Sequence, residues 1–132
     1  MPDFTIESTC RMPVFRHRTY QAASLEEACQ LALKDPDWSQ QKEDPERAGE
    51  TYISGVWPGP NPATGAPSIP VPPQFGEAMR RKAEHFETLL GILKVLLTEE
   101  AFTPEKLAFW RRRAERAVAK AETILAGGPD PR

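Results

Sequence analysis

The chain of 132 residues has no apolar run near the ~20 residues that a membrane-spanning helix requires, and it has only two cysteines and two histidines. Each shortage removes a class of function. Met1 to Phe4 lack the basic and apolar regions of a signal peptide, so a cytoplasmic protein is expected. Without a secretion signal, Cys10 and Cys29 are expected to be reduced and buried rather than paired. No C-x-x-C or Cys/His spacing suggests zinc, and His85, between Glu84 and Glu87, has no second ligand at helical spacing. Neither a G-x-S-x-G elbow nor a phosphate-binding glycine loop occurs. The expectation is a protein that is not an enzyme and has no metal or cofactor.

What is present is the composition of a globular protein, with 39% hydrophobic and 27% charged residues. The net charge of -2 divides unevenly. Residues 1–73 carry six Lys/Arg against ten Asp/Glu, a balance of -4, and residues 74–132 carry eleven against nine, a balance of +2. Neither half is basic enough to announce nucleic acid by charge alone.

Proline is the one residue in clear excess, and seven of the fourteen fall between Pro58 and Pro73. Proline lacks a backbone donor and fixes φ, so no central strand or helix interior runs through such a segment. The chain is therefore read as a β-β-α-β module over 1–57, a proline-rich strap over 58–73 and a helical hairpin over 74–132, together one unit of the α+β class. In the strap, Ile69 and Val71 alternate with prolines. This pattern favours a segment docked on the protein's own core over a polyproline ligand for an aromatic groove.

In the first half, Phe4 to Cys10 alternates apolar and polar residues and predicts a half-buried strand. Val14 to Ala22 is β-compatible, and the two are expected to pair as a hairpin. Ser24 followed by Glu27 is a capping-box start for a helix that Asp35-Pro36 stops. That helix is expected to lay Leu25 and Ala28 across the face bearing Tyr20 and Ala22. Residues 35–50 form an acidic loop anchored by Trp38, and Glu50 to Trp57 predicts a third strand.

In the second half, Phe75, Met79, Phe86, Leu90, Leu93 and Leu97 define an amphipathic helix, broadened by Leu89 and Leu96. Gly91 within it suggests close contact with another helix. Thr103-Pro104 starts a second helix and Gly127-Gly128 stops it, with Leu107, Trp110, Ala114, Ala117, Ala121 and Ile124 along a narrow, alanine-rich seam. A two-helix hairpin buries one side only, so the remaining apolar residues need a cover. The sheet of the first half and the same hairpin of a second subunit, as a homodimer, both stand open.

The basic residues are the candidate site. Arg80 and Arg81 on one helix and Arg111, Arg112, Arg113 and Arg116 on the next would lie about 15 Å apart along an antiparallel hairpin. Two readings stand: phosphate-contacting patches for nucleic acid, or a solvated, salt-bridged face with the interleaved Glu84, Glu87, Glu115 and Glu122. Arg16 and Arg18, on one face of the second strand, form either an anion or acidic-partner site or a charged guard on an edge strand.

The segments Thr9 to Tyr20 (TCRMPVFRHRTY), Glu50 to Trp57 (ETYISGVW), Pro70 to Glu77 (PVPPQFGE) and Arg81 to Phe86 (RKAEHF) resemble a group of small bacterial proteins carried on plasmids and other mobile elements. That group has no known activity. The resemblance implies a setting: accessory proteins of such elements often bind host defence proteins or nucleic acid. The leading expectation is a non-catalytic protein-binding accessory protein, such as an inhibitor of a host defence system. Nucleic-acid binding through the arginines is the alternative.

Overall fold

The computed structural model describes residues 1–61 and 66–132. It has the α+β architecture expected: an N-terminal β-β-α-β region followed by two packed helices. The chain separates into two compact units, one of Met1–Thr9 with Thr51–Arg132 and the other of Cys10–Glu50. Among the described residues no helix is long and apolar enough to cross a membrane.

In the first unit, strand β1 (Phe4–Thr9) pairs antiparallel with a later strand, Tyr52–Pro58, which is β4 in chain order. The register shifts between Glu7 and Ser8, whose partners are Gly55 and Ile53, so Ser54 is an extra bulge residue. Its hydroxyl donates to the Glu7 carboxylate at 2.6 Å. On the same strand the Trp57 ring folds back over Gly55, one of the few buried residues. A Cβ at position 55 would lie 2.4 Å from Trp57 Cη2, which is why glycine stands there.

The pairing corrects the expected hairpin of the first two strands. Strand β2 is only Val14–Phe15, and it pairs antiparallel with the short β3, Lys42–Glu43, inside the second unit. Residues 16–22, expected to extend that strand, are irregular because Arg16 and Tyr20 are drawn into side-chain bonds with the end of the following helix. Helix α1 (Leu25–Lys34) starts as expected: the Ser24 hydroxyl accepts from the Glu27 amide, and the Glu27 carboxylate accepts from the Ala23 amide. It does not bury Leu25, which is 81% exposed. Cys10 and Cys29 are unpaired, and they are exposed rather than buried as expected.

Of the strap, residues 62–65 lie outside the described residues. On one side of them, Gly59 extends the sheet through its amide to Asp3 O, with φ of +88°. On the other, the Ile69 amide donates to Val56 O at 2.8 Å and ties the strap to β4. A 3-10 turn at Pro73–Phe75 leads into helix α2 (Ala78–Thr98).

Helix α3 (Pro104–Ala126) has the start and stop read from the sequence. The Thr103 hydroxyl accepts from the Lys106 amide, and Gly127 takes the left-handed conformation with φ of 71°. The two helices pack through Trp110, Ala114, Ala117, Ala121 and Ile124 on α3, as the alanine spacing required, but Leu107, expected at the start of that seam, is 52% exposed. The α2 side of the seam is not the one expected. Arg81, His85, Leu89, Ile92 and Val95 turn inward, whereas Met79, Phe86, Leu90, Leu93 and Leu97 stay exposed. Gly91 is also exposed, with open space around it, so it does not serve a close helix contact.

Replacing Gly55 with alanine is expected to force the Trp57 ring off the strand and cost about 1–3 kcal/mol, read from urea unfolding followed by tryptophan fluorescence. An unchanged midpoint would contradict the ring packing.

Candidate functional site

In the second unit the two candidate arginines are engaged internally. Arg16, whose side chain is 8% exposed, sends Nη2 to Ala32 O and to Asp35 O, each at 2.8 Å, and Nη1 to Asp37 O. These carbonyls stand at the C-terminus of α1, where helical partners run out, so the guanidinium closes the helix end and offsets its dipole. Its planar group also lies 4.0 Å from the centre of the Trp38 ring, which explains the anchor in the acidic loop. Arg18 pairs with Asp37 at 2.8 Å and with Asp35 at 3.2 Å.

Tyr20 donates to the Asp35 carboxylate at 2.7 Å, which lowers that carboxyl's pKa and raises the phenol's. Asp37 is pulled down to about 2, first by hydrogen bonds from Ser39 and then by Arg18. The cleft beside them, about 100 Å³ and lined by Arg16, Arg18, Asp37, Ser39 and Gln40, already pairs its cations with its own carboxylates. It is a polar clasp with little spare positive charge for an incoming anion.

In the hairpin, His85 is buried and its Nε2 lies 2.8 Å from Ala117 O, so this nitrogen carries the proton and donates. That bond fixes the register of α2 on α3. Near the far end of the seam from the inter-helix turn, Arg81 donates to Asp130 at 2.6 Å, drawing the segment after Gly127 back onto the helices, and Lys120 stands 3.9 Å from the same carboxylate. Arg81 holds the Asp130 carboxyl below its ordinary pKa of 3.8, with a smaller contribution from Lys120.

The candidate arginines of the hairpin do not form one patch. Arg80 pairs with Glu84 and Arg111 with Glu115, each one turn along its own helix. Arg81 is 12% exposed and serves the seam. The Arg113 guanidinium lies 4.5 Å from the Phe109 ring centre and 5.6 Å from that of Trp110. Arg112 and Arg116, one turn apart and exposed, have no ion pair among the described residues. Sequence reasoning missed Asp35, Asp37 and Asp130 as the partners of these cations. The Asp-Pro-Asp run closing α1 was a visible signal for the first two, but Asp130 lies 49 residues from Arg81 and no spacing announces it.

The apolar surface is more continuous than the basic one. Met79, Phe86, Leu90, Leu93 and Leu97 lie in one stripe along α2, exposed by between 40% at Leu90 and 84% at Leu97. The stripe is rotated about 130° from the inward residues at 3.6 residues per turn. On α3, Leu107, Val118 and Leu125 form a second stripe, each more than half exposed and rotated about 65° in the same sense. In an antiparallel pair, equal senses of rotation bring both stripes to the same side of the hairpin. That side carries the apolar stripe of α2, interrupted by Lys82, and the three apolar groups of α3 interleaved with Arg111, Glu115 and Glu122, whereas the opposite side carries Glu84, Arg113, Arg116 and Lys120. Beside Val118 a shallow depression of about 460 Å³ is lined by Arg111, Ala114, Glu115, Ala119 and Glu122.

Among the described residues no group of His, Cys, Asp and Glu side chains is placed to hold a metal ion. Comparison with protein-family models, curated proteins and solved structures finds no match.

The Arg81–Asp130 pair has a signed pH consequence. Because the folded-state pKa of Asp130 is depressed, its contribution is present above the ordinary carboxyl value of 3.8 and is lost as pH falls through the lowered value. Asp130→Asn is expected to lower the melting temperature at neutral pH, with the gap from the parent chain closing over the range in which pH falls through 3.8 and below it. A gap that stays constant over that range would mean the charge is not what stabilises.

Proposed function

We propose that this chain is a non-catalytic, cytoplasmic protein-binding accessory protein, and that its contact surface is the apolar side of the α2–α3 hairpin. The observation that carries this reading is the stripe of Met79, Phe86, Leu90, Leu93 and Leu97, left exposed while alanines fill the seam. Large aliphatic and aromatic groups in one contiguous face stabilise a protein only when something covers them, and such patches mark association sites. Charged groups at the rim, Glu87 and Lys94 on α2 with Arg111 and Glu122 on α3, supply the polar border that such interfaces carry. A different protein and a second copy of the same hairpin both fit a surface of this kind. The resemblance to accessory proteins of mobile elements adds a setting, inhibition of a host defence system, in which such a surface would act.

Tagged parent chain is expected to retain proteins from a host lysate, measured by quantitative mass spectrometry, and Phe86→Lys/Leu93→Lys to lose them while its far-UV circular dichroism stays unchanged. Retention of the same proteins by the folded variant would overturn the assigned surface.

A second reading rests on Arg112 and Arg116, which remain exposed and unpaired on the other side of the hairpin. Phosphate contacts from these two would give affinity that falls with salt. Arg112→Ala/Arg116→Ala is expected to flatten the slope of log affinity against log salt by about 2. Failure of the parent chain to bind duplex or single strands at low salt removes this reading.

A further inference from the structure

We propose that the partner covering the apolar side of the hairpin is a second copy of this chain, related by a two-fold axis parallel to the helices. Each α2 then packs against the other copy's α3, and every neighbour in the resulting four-helix bundle is antiparallel. The proposal rests on the reading of that side as a protein-binding surface and names its occupant.

Two features of the hairpin support this choice. The first is area. Met79, Phe86, Leu90, Leu93, Leu97, Leu107, Val118 and Leu125 together expose on the order of 1,000 Å² at about 200 Å² per fully exposed large side chain. A stable pair needs about 800 Å² from each partner, so one such face against another suffices.

The second is the levels at which the side chains stand. The His85–Ala117 bond sets α2 position 85 level with α3 position 117. Leu107, Val118 and Leu125 are therefore level with α2 positions 95, 84 and 77, each obtained as 85 plus 117 less the residue number. An axis parallel to the helices keeps those levels. Leu107 of the second copy then enters between Leu93 and Leu97, Val118 between Met79 and Phe86, and Leu125 just beyond Met79. Between Met79 and Phe86 the small Ala83 leaves room for the partner's branched side chain, beside the aliphatic stem of Lys82. Large groups of one face meet spaces in the other, as close packing requires.

The test uses the full chain. Size-exclusion chromatography with light scattering at micromolar concentration is expected to give twice the chain mass of 14.8 kDa. Leu93→Glu/Leu97→Glu is expected to weaken association about 30-fold or more, with helicity by circular dichroism retained. Arg112→Ala/Arg116→Ala, on the opposite side, leaves the dimer intact. Independently of any charged variant, chains with Cys10→Ser and Cys29→Ser that carry Leu97→Cys are mixed with chains that carry Leu107→Cys. On oxidation they are expected to cross-link as a mixed dimer.

A monomer that gives no cross-link overturns the proposal. If that monomer still captures another protein through Phe86 and Leu93, the protein-binding reading stands and only its occupant is wrong. If the stripe variants capture everything the parent does, both fall. A dimer that survives Leu93→Glu/Leu97→Glu also overturns the proposal, because association then uses another surface.

Discussion

The close seam between α2 and α3 is the constraint on which the rest of the hairpin depends. Alanine at positions 114, 117 and 121 removes side-chain bulk from one helix and lets the other approach. The His85 imidazole then reaches a carbonyl in the middle of α3, a group otherwise occupied by the helix's own ladder. A buried polar group of this kind adds little net stability but restricts register, because only positions that set the ring against a helix carbonyl leave it satisfied. Once that register is set, Arg81 meets Asp130, the segment beyond Gly127 returns to the helices, and the larger apolar residues of α2 are turned to the outside.

The two units are stabilised by different means. In the hairpin, buried apolar groups are few and small, with Ala117 and Ile124 the buried hydrophobic residues among those described. Cys10–Glu50 has no buried residue of any kind and is organised by charge-assisted hydrogen bonds around Arg16, Asp35 and Asp37. Exposed ion pairs contribute little singly, but several bonds converging on one planar guanidinium restrict it far more than any one would.

Local signals in the sequence were legible, and long-range ones were not. Ser24 with Glu27, Thr103 with Pro104 and the glycines at 127 and 128 marked helix ends correctly, because capping chemistry is settled within a few residues. The alanine seam was legible for the same reason. The partner of β1 was not, since alternation identifies a strand but carries no information about which other strand completes its ladder. The inward side of α2 was misread because periodicity ranks stripes by apolarity. It cannot register the bonds from His85 to Ala117 and from Arg81 to Asp130 that select a less apolar side. Of the candidate arginines, spacing placed Arg80 and Arg111 near their glutamates, but only the structure separates them from Arg112 and Arg116.

The Arg16 clasp also limits what drift the chain can tolerate. Its fork addresses the carbonyls of Ala32, Asp35 and Asp37 while its flat face rests on Trp38. Lysine keeps the charge but offers a single compact ammonium, which cannot span these acceptors or stack in the same way. A lysine at position 16 would thus release both the helix end and the Trp38 ring. Leu25 and Leu33, wholly peripheral to the clasp, are free to vary without consequence for the loop that follows the helix.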